Sequence, residues 1–113
     1  MKTICVPKNK EGESALNFDE ATPQQLIELN LPDTQFYSLW GQGFFDEINN
    51  LSGSAIDDFE DEKIYEKHKL ERVFNSKIFD GKTPDKELND IINKIKNLFY
   101  EAISRDTSIH FYF

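Results

Sequence analysis

The sequence is short of the features that mark secreted and membrane proteins. It has a single cysteine, Cys5, so no disulfide can form within the chain and no oxidising compartment is required. The N-terminus carries only a short apolar run, Ile4–Val6, which is too short for the hydrophobic region of a signal peptide or for a membrane span. These shortages predict a cytoplasmic protein.

Positive charge is missing from nearly half of the chain. Between Glu11 and Glu62 there are 13 Asp and Glu residues and no Lys or Arg, and the whole chain has a formal net charge of −8. Direct binding to nucleic acid or to an anionic membrane is disfavoured, because those surfaces attract clusters of basic residues. The anionic stretch indicates an interaction face for a basic partner, or else a solvated surface.

The length and composition predict one domain spanning residues 1–113. The chain has 113 residues, of which 38% are hydrophobic and 13% aromatic, including 10 Phe. This is enough apolar mass for one modest core and too much for a disordered chain. No linker, repeat or low-complexity tract divides the sequence.

The ends of the chain give the clearest structural signals. From Pro84 to about Ser104, apolar residues recur every three or four positions, which predicts a long amphipathic helix capped by Thr83. Thr3–Val6 and Ser108–Phe113 have the composition or alternation of strands, and a terminal aromatic strand needs a partner. The expected fold is therefore α+β and mostly helical, with a small sheet formed by the terminal strands.

The middle of the chain predicts further helices. Lys8–Asn17 is polar and predicts a loop, whereas Thr22-Pro23-Gln24-Gln25 is a capping box that predicts a helix as far as about Asn30. Two helical pieces should follow from about Asp33, with a break at Gly41–Gly43. For residues 57–79 the pattern favours a helix and leaves a strand open near Val73–Phe79.

None of the usual catalytic or metal-binding motifs is present. Gly41-Gln42-Gly43 lacks the strand, the third glycine and the lysine of a phosphate loop. An EF-hand counted from Asp57 would need an oxygen ligand where Phe59 stands. No cofactor and no metal are therefore expected.

Histidine and cysteine give only a weak case for catalysis. His68 and His110 lie on different elements, and their spacing matches no catalytic signature. Cys5 has no neighbouring histidine in the sequence, so a buried structural thiol is the favoured reading. We expect a protein that is not an enzyme, and a small hydrolase using His68 or His110 stays open as an alternative.

The densest acidic tract, with the residues that precede it, carries a resemblance to a known protein family. A small, acidic chain with one cysteine, in which Phe44-Phe-Asp-Glu-Ile-Asn49 precedes Ile56-Asp-Asp-Phe-Glu-Asp-Glu62, resembles the immunity proteins of bacterial contact-dependent growth inhibition systems. Such proteins bind and neutralise the toxin domain of a delivered effector, commonly a nuclease. The resemblance implies an inhibitor that covers a basic active site, that of a ribonuclease, with an acidic surface.

The sequence therefore yields a set of expected partner-binding residues. They are Asp46, Glu47, Asp57, Asp58, Phe59, Glu60, Asp61, Glu62 and Tyr65. The expected partner is a basic toxin domain. A nucleic-acid mimic or adaptor that engages a basic DNA-binding protein would use the same charges. The oligomeric state stays open.

Overall fold

The computed structural model describes residues 2–81 and 83–113, which form a four-stranded sheet and five α-helices. The strands are β1 (Lys2–Pro7), β2 (Leu26–Leu31), β3 (Asp61–Ile64) and β4 (Ile109–Tyr112). The helices are α1 (Lys10–Asn17), α2 (Asp33–Gly41), α3 (Phe44–Ser52), α4 (Lys67–Phe74) and α5 (Lys86–Ser104). The predicted α+β, mostly helical fold is confirmed.

The sheet is built around the two ends of the chain. Its strand order is β2-β1-β4-β3, and each neighbouring pair is antiparallel. In the central pair, Thr3 lies opposite Tyr112 and Cys5 lies opposite His110. The predicted pairing of the terminal strands is therefore confirmed, and β2 and β3 extend it to form the two edges.

One face of the sheet forms the core with the long helix. Ile4 and Val6 of β1 and Phe111 of β4 are completely buried beneath α5 and its neighbours. The helix begins at Lys86 and not at Pro84, because the Asp85 carboxylate accepts hydrogen bonds from the first free backbone N–H groups of the helix. Among the described residues, no helix combines the length and the apolarity needed to cross a membrane.

The break between the two middle helices is confirmed. Helix α2 ends at Gly41 and α3 begins at Phe44, and between them Gly43 has a φ of 77°. A left-handed backbone costs glycine little, so the chain can turn here and start a second helix.

Two predictions in the first third of the chain are wrong. Residues 10–17 form α1 and not a loop, because the Asn9 side chain caps the helix by accepting from the N–H of Gly12 at 2.8 Å. The capping box at Thr22 and Gln25 does form, but it closes only a 3₁₀ turn. The residues that follow pair with β1 along the whole of β2, so long-range strand pairing overrides the local helix signal.

The prediction of a helix over residues 57–79 is only partly right. The segment contains β3, then α4, then a 3₁₀ turn at Lys77–Phe79. The strand considered near Val73–Phe79 is absent, because those described residues end α4 and form that turn. The short polar strand β3 was missed because its charged residues lie on an edge, where strand pairing does not require apolar alternation.

Helix α1 carries a test of this packing. A Cβ atom on Gly12 would lie 2.9 Å from the carbonyl oxygen of Gln25, which is backbone and cannot move aside easily. Gly12→Ala should therefore lower the free energy of unfolding by about 1 kcal/mol or more, although alanine normally favours a helix. Urea unfolding measures this change, with the exposed Ser14→Ala of the same helix as the control. A more stable Gly12→Ala variant would contradict the close approach.

Candidate functional site

The acidic segment, residues 57–62, is fixed to the rest of the protein through a buried lysine. Lys2 is on the core face of β1 and only 8% exposed. Its ammonium group forms an ion pair with Asp58 and donates a 2.7 Å hydrogen bond to the carbonyl oxygen of Phe113. It also lies 4.9 Å from the ring centroid of Phe36 and 4.6 Å from that of Phe59. Lys2 therefore joins the acidic segment to the core and to the C-terminal residue.

The protonation states of this anchor are set by its own contacts. The Asp58 carboxylate also accepts a 2.9 Å hydrogen bond from the hydroxyl of Tyr37. The hydrogen bond from Lys2 holds the pKa of Asp58 below its usual value, and the same bond raises the pKa of Lys2. Donation to Asp58 raises the pKa of the Tyr37 hydroxyl.

These shifts define the pH range in which the anchor holds. The contribution of Asp58 is lost as the pH falls through its lowered folded-state pKa, and the contribution of Lys2 is lost as the pH rises through its raised one. The ion pair is therefore intact throughout the neutral range.

Phe59 is the most unusual residue of the segment. Its side chain is 85% exposed, and its φ of 63° lies in the left-handed region. A bulky side chain in that region is uncommon and costs about 1–3 kcal/mol of strain. Because the ring is exposed, burial contributes little to holding it in place. The adjacent ion pair of Lys2 and Asp58 holds Phe59 in its position instead.

Uncompensated negative charge lies on both sides of Phe59. Asp57, Glu60 and Asp61 are exposed, and within the described part of the chain none of them forms an ion pair with a basic side chain. The carboxylate of Asp57 accepts a hydrogen bond from the neighbouring N–H of Asp58, at 2.8 Å. An aromatic ring flanked by free carboxylates suits a partner that offers an apolar pocket with a basic rim.

Glu62 has a different role from the other carboxylates. Its side chain accepts hydrogen bonds from the backbone N–H groups of Ala55, at 2.7 Å, and of Lys63, at 2.9 Å. Glu62 therefore fastens the start of the loop to β3. Glu62 and Asp58 are therefore carboxylates that hold the acidic segment in its conformation.

The structure separates the other predicted residues from this segment. Asp46 and Glu47 are exposed on α3, and Glu47 lines a cleft with Thr83 and Ile92 that the acidic segment does not reach. Tyr65 is exposed beyond the end of β3, where the ammonium group of Lys63 lies 5.8 Å from its ring centroid. The compact part of the predicted set is residues 57–62.

No family model, no curated protein and no solved structure matches this chain.

The second group of polar residues lies on the other face of the sheet, around His110. This histidine is only 4% exposed, and its Nε2 lies 2.8 Å from the hydroxyl oxygen of Ser108. Ser108 donates its proton to the carboxylate of Glu13 on α1, at 2.7 Å. Because that proton is used, Nε2 must carry the hydrogen of its bond to Ser108.

This order of groups ties α1 to the sheet and does not activate the serine. A nucleophilic serine needs a histidine that accepts its proton, whereas here the carboxylate of Glu13 accepts it. Burial lowers the pKa of His110 to about 4, helped by the charge of Lys63. Across the described residues, no three side chains of His, Cys, Asp or Glu are placed to hold a metal ion.

The remaining candidates from the sequence lie apart from this group. Cys5 is buried, as predicted, and burial raises the pKa of its thiol to about 12, so it is not a thiolate at neutral pH. His68 is exposed on α4, with its Nε2 3.7 Å from the carboxylate of Glu66. Among the described residues, those that line the cleft at His110 include Asp61 and Tyr112 and do not include His68.

Sequence reasoning missed the residues that hold the candidate site in place. Lys2 alternates with Ile4 and Val6, which puts its side chain on the core face of β1, and this spacing was the available signal. Tyr37 lies one residue beyond Phe36 on α2 and gave no signal, because its partner Asp58 is far away in the sequence. Both residues stabilise the segment that carries Phe59.

Proposed function

We propose that this chain is a cytoplasmic immunity protein. It binds a basic toxin domain, which we expect to be a ribonuclease, and covers the active site of that domain. The acidic segment is the contact surface, Phe59 is its apolar anchor, and Asp57, Glu60 and Asp61 pair with basic groups of the toxin. Inhibition is stoichiometric and needs neither turnover nor a cofactor.

The single observation that carries this proposal is the conformation of Phe59. An exposed ring gives no burial energy to the monomer, and its left-handed backbone costs stability. Burial of the ring in a pocket on another protein would offset both the missing burial energy and the backbone strain, since buried aromatic residues dominate interface energetics. The rigid anchor at Lys2 lowers the entropy lost on binding.

The charge of the chain supports a basic partner. Free carboxylates beside Phe59 give the site a negative potential, which speeds the encounter with a basic cleft and repels nucleic acid. A complex formed in this way associates quickly and weakens as salt is added. An interface of ordinary size would bury about 1,600 Å² in total.

The direct test expresses the protein encoded by the neighbouring reading frame, which the proposal requires to be the toxin domain. We expect cells that express that domain to stop growing, and co-expression of this chain to restore growth through a one-to-one complex. Failure to bind the neighbouring domain would contradict the immunity assignment. Binding of a DNA-binding repressor in its place would favour nucleic-acid mimicry.

The role of the carboxylates is tested by charge reversal. The triple variant Asp57→Lys, Glu60→Lys, Asp61→Lys should bind the toxin domain at least about a hundredfold more weakly, because each change replaces attraction by repulsion at the contact. Asp58 and Glu62 are left unchanged, since their carboxylates hold the loop. Titration calorimetry at two salt concentrations measures the loss.

A control with matched charge separates local contact from overall charge. Glu71→Lys, Asp80→Lys, Asp90→Lys reverses three exposed carboxylates outside the acidic segment and changes the formal charge by the same amount. This control should keep most of the affinity. Equal losses in both triple variants would show that only net charge matters, and would remove the acidic segment from the mechanism.

A further inference from the structure

The two edges of the sheet differ in how they are protected. Edge strand β3 is short, and three of its four residues are charged, which discourages pairing with another chain. Edge strand β2 has six residues, and Glu28 is its single charge. Leu26, Ile27 and Leu29 are partly exposed along it. The β2 edge therefore lacks the usual protection against strand addition.

The hydrogen-bonding pattern identifies which groups of β2 are free. The N–H of Lys8 donates to the carbonyl of Gln25 at 2.9 Å, just beyond the paired residues of β1 and β2. In an antiparallel ladder this bond assigns Ile27, Leu29 and Leu31 to the positions bonded to β1. Leu26, Glu28 and Asn30 therefore direct their N–H and C=O groups outward. The N–H of Leu26 donates to the carbonyl oxygen of Pro23. Among the described residues, both backbone groups of Glu28 and Asn30 have no further backbone partner.

We propose that β2 pairs with β2 of a second copy, which joins the two sheets into one. A two-fold axis at Leu29 sets Glu28 of each copy opposite Asn30 of the other, so that the outward backbone groups meet in hydrogen-bonded pairs. Asn30 already accepts from the Thr3 hydroxyl through its side-chain oxygen, at 3.0 Å. Its amide NH₂ is left to donate to the Glu28 carboxylate of the second copy.

The alternative register is less favourable. An axis at Glu28 would place the two Glu28 carboxylates directly opposite each other, and like charges in that position destabilise strand pairing. The axis at Leu29 instead places the two Leu29 side chains against each other on the core face of the sheet. On the opposite face it pairs the Glu28 carboxylate, an acceptor, with the Asn30 amide, a donor. The second copy is therefore the occupant that this edge fits.

The dimer leaves the candidate functional site free. Strand β3, which begins within the acidic segment, lies at the opposite edge of the sheet from β2. Each dimer would therefore carry two acidic segments at its outer ends. Because each copy has a formal charge of −8, repulsion weakens the dimer at low salt and screening strengthens it, the reverse of the behaviour expected for toxin binding.

Sedimentation equilibrium on the full chain, between about 0.05 M and about 0.5 M salt, tests this proposal. We expect a monomer–dimer equilibrium that shifts toward dimer as salt rises. Asn30→Glu sets two pairs of carboxylates opposite each other and should weaken the dimer about tenfold. Adding Glu28→Lys to that variant replaces repulsion by attraction and should restore at least the parental affinity.

The control is Asn97→Glu, which adds the same charge on an exposed position of α5. It should dimerise as the parent does. A parent chain that stays monomeric at all salt concentrations overturns the proposal, as does an Asn30→Glu variant that dimerises like the parent. Failure of the double variant to recover, while circular dichroism shows it folded, overturns the register.

Discussion

Phe59→Gly is expected to leave the protein at least as stable as the parent while weakening toxin binding by at least about thirtyfold. The φ of 63° at this position is unfavourable for a side chain with a Cβ atom and is freely available to glycine. Removing the ring sacrifices its contact with the ammonium group of Lys2, at 4.6 Å, which is worth about 0.5–1 kcal/mol at an exposed site. The relief of strain offsets this loss.

The expected loss of binding follows from the role of an interface anchor. Truncation of such a ring typically costs about 2 kcal/mol or more, which corresponds to about thirtyfold in affinity. Phe59→Ala should lose as much binding, but it keeps a Cβ atom in the left-handed region. It should therefore be less stable than Phe59→Gly by about 1 kcal/mol. Urea unfolding and calorimetric titration of both variants give the two quantities separately.

The control is Tyr100→Ala, which removes another exposed aromatic ring from α5. It should bind the toxin domain like the parent. If Phe59→Gly also binds like the parent, Phe59 is not an anchor. If Phe59→Gly is less stable than Phe59→Ala, the strain at this residue does not have the cost assigned to it.

The fold was predictable wherever one element carried a strong pattern of its own. Helix α5 shows an apolar face over its whole length, and β4 places Ile109 and Phe111 on the core side, with Phe113 following in the same alternation. The pairing of β1 with β4 followed from their composition and from the need of each for a partner. These signals are local, or nearly so.

The errors arose where distant contacts decide the structure. Strand β2 follows a genuine capping box, and only its pairing with β1 makes it extended. Helix α1 is polar and contains Gly12, so its stability comes from the Asn9 cap and from packing against Gln25. A single sequence holds no record of either contact.

The negative charge of the candidate site could be predicted from the sequence, but its conformation could not. The run of carboxylates located residues 57–62, whereas the role of Asp58 as an anchor depends on Lys2, which is 56 positions away in the sequence. Phe59 was expected at an interface because of its acidic neighbours, but nothing in the local pattern indicated its left-handed backbone. Burial and ion pairing therefore divide a uniform acidic tract into anchors and free contacts.

The largest expected effect of pH comes from His110, on the opposite face of the sheet from the core. Its neighbours there are Cys5 on β1, Lys63 on β3, Tyr112 on β4, and Glu13 on α1 through Ser108. Burial, with the charge of Lys63, lowers the pKa of His110 from 6.5 to about 4, and the charge of Glu13 opposes this shift only in part. The folded protein therefore keeps the ring neutral at pH 5.

The sign of the effect follows from which state takes up the proton. Between about pH 6.5 and about pH 4 the unfolded chain protonates His110 and the folded chain does not, so stability is complete above pH 6.5 and falls as the pH is lowered. At about 1.4 kcal/mol for each unit of pKa difference, about 2 kcal/mol should be lost between pH 7 and pH 5. Urea unfolding at the two pH values measures this loss.

His110→Gln removes the titrating ring while keeping an amide that can donate to Ser108, so its stability should depend on pH less steeply than that of the parent, by about one proton. Its stability at pH 7 should be lower, since the amide fills less of the site than the imidazole. His68→Gln, which removes an exposed histidine, should follow the parent curve. If His110→Gln keeps the parental slope, protonation linked to the buried imidazole is not what lowers the stability of the protein in acid. The loss would then come from the carboxylates that anchor the acidic segment.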